Sequence, residues 1–335
     1  MIKKLSTMIV GYGNISSNYD SKMGIFYPYQ NHSEVLKKHP NFELTAIIDT
    51  SKNARLKASK SWKSAIICKT LEELPKDYIP DVAVISTGAN WRYEILKKLK
   101  VKKGIILEKP IGKNIEDSKK IFGICKKLGV LVQVNLLRRA DNTKFLKKKK
   151  IIDFLGKIQF INVVYGNGIL NNGIHVIDYL RSLLGEVISV QSLSDLKKFD
   201  SKKNSDDFNI TCKINFKNNI IATMHPINFN LYRDIIIDFW GEKGRIEIFQ
   251  EGLFFRKSII GQHRAIEKHK EILIDKAKVF KTSLGTGYYD IYQNLYNAIS
   301  KKEKLVSPVE NALKNEKVIY SIIRSASHKN KKIVI

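Results

Sequence analysis

Three short stretches place reactive side chains where a fold could bring them to bear on a substrate. "ILEKPIG" at 106–112 sets Lys109 between a glutamate and a rigid proline, and "NNGIHVID" at 171–178 sets His175 two residues after a glycine. "GYGNIS" at 11–16 carries Gly11 and Gly13 at the close of an apolar run, and Asp49 ends the next such run. Each residue type has its chemistry. An imidazole with an ordinary pKa near ~6.5 takes up and returns protons at neutral pH. An ammonium group hydrogen-bonds an oxygen and stabilises negative charge developing on it. Paired glycines permit a tight turn and let the backbone approach a pyrophosphate at a helix N-terminus. A carboxylate after the second strand accepts ribose hydroxyls and repels a 2′-phosphate, which selects NAD over NADP. These are groups for acid–base chemistry at an oxygen beside a bound nucleotide, with Lys109 and His175 as its candidates.

Such residues must be held by regular elements, and the chain shows two regimes. From 5 to about 136, the runs "STMIVGYG", "ELTAIIDTS", "DVAVISTG", "KGIILEKP" and "GVLVQVNLL" are rich in Val and Ile and apolar on both faces, as buried parallel strands are. Amphipathic stretches such as "NIEDSKKIFGICKKLG" separate them, with an acidic start and a glycine stop. This is a doubly wound α/β pattern, in which ligands bind at the carboxyl ends of the strands. Gly11 and Gly13 end the first strand, with Asn14 and Ile15 opening a helix, and the third fingerprint position is Ser16. Asp49 lies 33 positions beyond Ser16 (49 minus 16), where about 20 is usual, so the aromatic, polar stretch "SNYDSKMGIFYPYQNHS" is an extra loop. The plainer role for Asp49 is to cap the turn that follows it.

After about 150 the runs lengthen and partly alternate: "KIQFINVVYG", "FNITCKINFKNNIIATMHP", "RDIIIDFWGEKGRIEIF" and "GLFFRKSII", with "FKNN" and "GEKG" as turns. They read as an antiparallel sheet. Ile235, Ile237 and Phe239 are expected to leave its second face apolar and available for pairing subunits. A last helix, "SPVENALKNEKVIYSIIRSAS", opens with Ser-Pro.

His175 can be placed on its own helix by advancing about 100° per residue from Ile174. Val176, Ile177, Leu180, Leu183 and Leu184 then form one apolar arc centred near about 240°, while His175 falls near about 100°, beside Asp178, Tyr179 and Ser182. It is off the core stripe, which leaves a solvated histidine or a site histidine. The remaining histidines form no HxxxH or HExxH partner pattern, and Cys68, Cys125 and Cys212 form no CxxC, so no metal site is expected. Three cysteines, far apart and odd in number, fit a reducing, cytoplasmic compartment. The 335 residues are 43% hydrophobic with no apolar run near ~20 residues, which argues for a packed protein and against a membrane span. The N-terminus has no cleavage site for a signal peptide and runs directly into the glycine turn. The net charge of +27 invites a nucleic-acid reading, but only ten of the 59 basic residues are arginines, the better base and phosphate forks. The lysines are spread along the chain, densest in "KFLKKKKIIDF" at 144–154, and no nucleic-acid motif accompanies them. They serve solubility and attract anionic small molecules.

The order "GYGNIS", "EKP", "NNGIH", with "VNLLRRAD", "GEKGRIEI" and the closing "SPVENALKNEKVIYSIIRSA", resembles the Gfo/Idh/MocA family of oxidoreductases over essentially the whole chain. The resemblance implies a Rossmann NAD-binding domain at 1–136 and an α+β substrate and oligomerisation domain at 137–335 with an open, largely antiparallel sheet, the last helix returning toward the first domain. It implies that Gly11, Gly13, Asn14, Ile15, Asp49, Thr87 and Asn90 bind NAD. Glu108, Lys109 and Pro110 would line its nicotinamide side, often with a cis peptide before the proline. His175 would be the acid–base, with Arg138, Asn171, Asn172 and Asp178 on the substrate side. It implies a homodimer or homotetramer acting on a sugar, a polyol or a nucleotide sugar. Three departures stand out. Asn171 occupies a position where relatives similar to inositol dehydrogenase carry Asp, and an amide cannot stabilise an imidazolium by charge. The stretch from Gly168 is one residue short of the usual "GGxLxDxGxH". "STGANW" replaces a "TPN" form, with Arg92 near where a histidine is common. The "NNGIH" pattern resembles members encoded with surface-polysaccharide genes. Two other functions share this fold: an NAD-dependent glycosidase and a non-catalytic NAD- and sugar-binding regulator.

Overall fold

A computed structural model describes residues 4–17, 24–198 and 207–335, so part of the aromatic loop after Gly13 lies outside the described residues. The chain divides into two compact units, residues 1–140 with 285–314, and residues 141–284 with 315–335. Among the described residues no helix is long and apolar enough to cross a membrane.

The first unit is built on a six-stranded parallel sheet of β1 (Leu5–Val10), β2 (Phe42–Ile48), β3 (Ile66–Cys68), β4 (Val82–Ile85), β5 (Gly104–Leu107) and β6 (Leu131–Val134). Their order is β3-β2-β1-β4-β5-β6. β4 and β5 are buried at every residue, which is why their sequences are unbroken apolar runs. β3 has three residues and no run of its own to announce it; pairing with β2 makes it a strand. The order reverses between β1 and β4, the switch point where this architecture places a nucleotide. Helix Ile115–Lys127 starts where Asn114 Oδ1 accepts the Asp117 N–H at 2.9 Å and stops before Gly129, whose φ of +66° suits glycine.

The division expected at 136/137 is not a single cut. Residues 285–314 group with the first unit because helix Gly287–Lys301 buries Ile291, Tyr292 and Leu295 in its core. Gln133 Nε2 donates to the Ile291 carbonyl at 2.7 Å, and the Tyr292 ring meets Phe42 edge-on at 5.3 Å.

One member of this core titrates. The buried His39 ring stacks on Tyr289 at 4.5 Å and meets the Phe42 edge at 4.9 Å. Burial lowers its pKa from 6.5 to about 4, against a smaller opposing hydrogen bond from Gln293. The folded chain therefore refuses a proton that the unfolded chain accepts. Stability is fully present above the unfolded value of 6.5 and declines until about pH 4, where folded His39 charges too. His39→Phe keeps a ring and removes the titration. Its thermal midpoint, followed by circular dichroism, should fall less steeply than wild type across that window; parallel slopes would refute the assignment.

The second unit carries one mixed sheet. Its strands run in the spatial order 270–272, 254–262, 244–249, 236–241, 158–166, 221–227, 212–216, 187–192 and 333–334, with 278–281 also pairing with 254–262. The pair 158–166 with 221–227 is parallel and the other named pairs are antiparallel. The "GEKG" and "FKNN" turns stand where expected, the latter with Asn218 and Asn219 at positive φ. Ile235, Ile237 and Phe239 do not form the second face, however. All three are buried, with Ile237 and Phe239 paired in register with the buried Val163 and Ile161. The alternate residues of this strand, Ile236, Asp238 and Trp240, point the other way, as period two requires. There Arg245 bonds Asp238 at 2.8 and 2.9 Å and lies over the Trp240 ring, which stacks on Phe160 at 5.7 Å.

Candidate active site

The carboxyl edge of the parallel sheet collects most of the predicted nucleotide residues. Gly11 has a φ of +94°, and a Cβ there would come within 2.9 Å of both Thr87 N and Thr87 Cγ2, so only glycine fits. Among the described residues a Cβ on Gly13 would meet nothing within 4 Å, which suits the approach of a phosphate to the first turn. Asn14 and Ile15 begin the short helix Asn14–Ser17, Asn14 exposed and Ile15 half-buried. Ser16 is buried; its hydroxyl donates to the Gly11 carbonyl at 2.8 Å and lies 2.7 Å from Ser86 Oγ, which itself donates to that carbonyl at 2.7 Å. The third fingerprint position is thus a hydrogen-bonded latch joining the ends of β1 and β4.

Asp49 follows β2. One carboxylate oxygen accepts the Tyr12 N–H at 2.6 Å and the other the Ser51 N–H at 2.7 Å. It caps a turn and also faces a cleft of about 420 Å³ lined by Gly11, Ile48, Thr87, Trp91 and Ile95. Thr87 Oγ1 is buried with no hydrogen-bond partner among the described residues, a state that costs about 1–3 kcal/mol unless a ligand answers it. Asn90 is exposed on the first turn of helix Ala89–Lys98. A glycine turn, an open phosphate approach, an unanswered hydroxyl and a fixed carboxylate fit a dinucleotide with its ribose toward Asp49.

Past β5 the Lys109–Pro110 peptide is cis. Glu108 does not line an open surface: it is buried, with Oε1 accepting from Asn135 Nδ2 at 2.5 Å and lying 3.1 Å from His32 Nε2. His32 Nδ1 in turn lies 2.9 Å from the Tyr292 hydroxyl. Burial pushes the Glu108 carboxyl up, but His32, Asn135 and the charge of Lys109 outweigh it and hold the group below the usual carboxylate range. Arg92, also buried, donates twice to the Thr87 carbonyl, at 2.8 and 3.1 Å, and from Nη1 to the carbonyls of Glu108 and Pro110. Its guanidinium therefore ties both neighbours of Lys109 to the turn after β4. The Lys109 side chain is half-buried.

In the second unit, "NNGIHVID" spans a wide turn, Ile169–Gly173, that runs directly into helix Ile174–Leu184. His175 is half-buried in the first turn of that helix, and Asn171 and Asn172 are half-buried before it. Asp178 is 0% exposed and Tyr179 is buried, so the polar side of this helix is no solvent face. Arg138 lies half-buried in the turn Leu137–Ala140 of the first unit. Lys109 and Arg138 thus belong to the first unit, and Asn171, Asn172, His175 and Asp178 to the second. His32, Asn135 and Tyr292 had no sequence signal, since each is an ordinary polar residue until the sheet gathers them around Glu108. Among the described residues no cluster of His, Cys, Asp or Glu could hold a metal ion.

Residues 5–136 match the oxidoreductase family model described as an NAD-binding Rossmann fold, and residues 166–334 match its C-terminal alpha/beta domain. An uncharacterised oxidoreductase of Schizosaccharomyces pombe is 27% identical over 183 residues, 48% of this chain and 50% of the relative, so the match spans about half the length of that curated protein. The WlbA dehydrogenase from Bordetella pertussis, solved with NADH and UDP-GlcNAcA, superposes with a TM-score of 0.76 at 19% identity, covering 99% of each chain. An oxidoreductase from Agrobacterium radiobacter, solved with NAD+, L-tartaric acid and magnesium, gives 0.74 at 15% identity over 99% of this chain and 98% of that one. These likenesses at low identity establish the fold. With both family models matched over most of its length, the chain belongs to the Gfo/Idh/MocA oxidoreductase family, and its first unit is an NAD-binding Rossmann domain.

Proposed function

We propose that the protein transfers a hydride between NAD and a secondary alcohol or ketone of a sugar, polyol or nucleotide sugar. The observation that carries this reading lies in the first unit. The nucleotide-fitting edge of Gly11, Asp49 and Thr87 is tied by Arg92 to the turn that bears Lys109. A cation fixed at the nicotinamide end of such an edge serves alcohol and carbonyl redox chemistry. Bound there, NAD would supply the hydride acceptor or donor. Lys109 hydrogen-bonds the substrate oxygen and stabilises its developing negative charge. His175 takes the hydroxyl proton in oxidation and returns it in reduction. The fixed Asp49 carboxylate accepts ribose hydroxyls and disfavours a 2′-phosphate.

The first probe is chosen from the ligand named with the Bordetella enzyme: UDP-GlcNAcA, alongside other UDP-sugars, inositol and tartrate, each with NAD and followed by NADH absorbance. Turnover of a sugar or nucleotide sugar supports the proposal. NAD binding with no hydride transfer to any of them counts against it, and nitrophenol release from a nitrophenyl glycoside would favour the glycosidase. We assign the protein to the cytoplasm on its unpaired cysteines, Cys68, Cys125 and Cys212.

We also infer self-association through the outer face of the second unit's sheet, which carries Phe160, Trp240 and the Arg245–Asp238 pair. Phe160 is 39% exposed there, and Ile259 and Val279 are exposed on the same unit. Light scattering at micromolar concentration should give a dimer or tetramer, and Phe160→Glu should shift it toward the monomer. A 38.4 kDa species for the wild type would remove the idea.

A further inference from the structure

We propose that Asp207 is the positioning residue of the His175 turn, a role that rests on reading His175 as the acid–base. Within the turn Ile169–Gly173 the backbone closes on itself through Asn172 N–H and Gly173 N–H, which both donate to the Gly168 carbonyl, at 3.0 and 3.1 Å. Those bonds leave the N–H groups of Leu170 and Asn171 to be answered from outside, as at any helical start. Asp207 answers both: Oδ1 accepts from Leu170 N and Oδ2 from Asn171 N, each at 2.9 Å. Oδ1 also accepts the Phe208 N–H at 2.7 Å. The residue is 5% exposed, and a carboxylate in that setting is retained when several donors converge on it.

The surrounding backbone is shaped to receive this carboxylate. Gly168 has a φ of +85°, and a Cβ there would sit 1.8 Å from Asp207 Oδ2, so any side chain at 168 would expel it. The Gly168 N–H donates to Asn209 Oδ1 at 3.0 Å, so segment 207–209 grips the turn at three places, 168, 170 and 171. On the other side of the histidine, the buried Asn315 donates from Nδ2 to the Ile174 carbonyl at 2.9 Å. The backbone is therefore held at 170, 171 and 174, immediately ahead of His175. A base that must meet a proton within hydrogen-bond reach depends on such control, since small displacements cost large factors in rate.

The test is hydrogen exchange on the full chain, comparing wild type, Asp207→Asn and Asp207→Ala. Asparagine keeps the size and one acceptor but turns an NH₂ group toward the second N–H. The Leu170 and Asn171 amides should exchange about 10–100-fold faster in both variants, as expected for a lost bond to a charged group. The ring resonances of His175 should shift, while those of His225, His263 and His269 in the same unit keep their positions. NADH, used as the probe of the first unit, should bind with wild-type affinity. Unchanged exchange at 170 and 171 overturns the proposal. Acceleration spread evenly through the unit overturns it too, because Asp207 would then serve general stability. If Asp207→Ala does not fold, Asp207→Asn carries the comparison. The acid–base reading is judged apart from this by turnover of His175→Asn; near-normal turnover beside a loosened Asp207→Asn turn would reject that reading and leave the positioning intact.

Discussion

His175→Asn and Lys109→Met should each lower turnover by about 10²–10⁴-fold, or about 3–5 kcal/mol of barrier, the usual contribution of a positioned acid–base group. NADH affinity should change little, because neither substitution touches the glycine turn or Asp49. The two side chains would act on one substrate oxygen, His175 on its proton and Lys109 on its charge. Their losses should therefore fail to add: the double variant should be little worse than the poorer single one. Lys109→Arg should not rescue activity. A planar fork cannot replace a compact ammonium at a point fixed by the Arg92 bonds to the Glu108 and Pro110 carbonyls. The measurement is steady-state kinetics with whichever sugar or nucleotide sugar proves active. Near-normal turnover in His175→Asn would return this histidine to an ordinary position on its helix and leave Lys109 or water to move the proton.

NAD should bind more tightly than NADP, and Asp49→Ala should narrow or reverse the preference. The Asp49 carboxylate cannot swing aside, because the Tyr12 and Ser51 N–H groups hold one oxygen each, at 2.6 and 2.7 Å. A 2′-phosphate about 4 Å from it meets a repulsion of roughly 1–4 kcal/mol per unit charge, depending on how much water intervenes. That corresponds to about one to three orders of magnitude in affinity. Arg55 sharpens the expectation. Its Nη1 donates to the backbone carbonyls of Asp49 and Thr50 at 2.8 Å each, so a guanidinium is anchored at the end of the same strand. With Asp49 gone, Arg55 becomes a phosphate anchor. Asp49→Ala should then gain NADP affinity and lose NAD affinity, and adding Arg55→Ala should abolish the gain. Titration by fluorescence decides it; tighter NADP binding in the wild type would show that Asp49 only caps its turn.

Much of this molecule could be read from the amino-acid sequence because the relevant physics is local. Apolar runs rich in Val and Ile marked β1, β2, β4, β5 and β6, unbroken in β4 and β5, where both faces are covered and no polar side is left to show. The turn at Gly11 and the capped start and glycine stop of helix Ile115–Lys127 follow from backbone preferences of single residues. Strand phase was harder. Ile235, Ile237 and Phe239 looked available for pairing subunits, but a one-residue register choice puts them in the core and leaves Trp240 outside, and only pairing with 158–166 makes that choice. Long-range contacts lay further out of reach. No local pattern sends residues 285–314 back to the first unit, sets His32 on Glu108, ties Arg92 across Lys109 or brings Asp207 to a turn 36 residues earlier. In each case a buried polar group must find a partner, and the partner is whatever the folded chain has carried within about 3 Å of it. Local residue type thus determined the strands, the turns and the reactive groups of this protein, while the tertiary structure alone decided which backbone and which charge hold those groups in place.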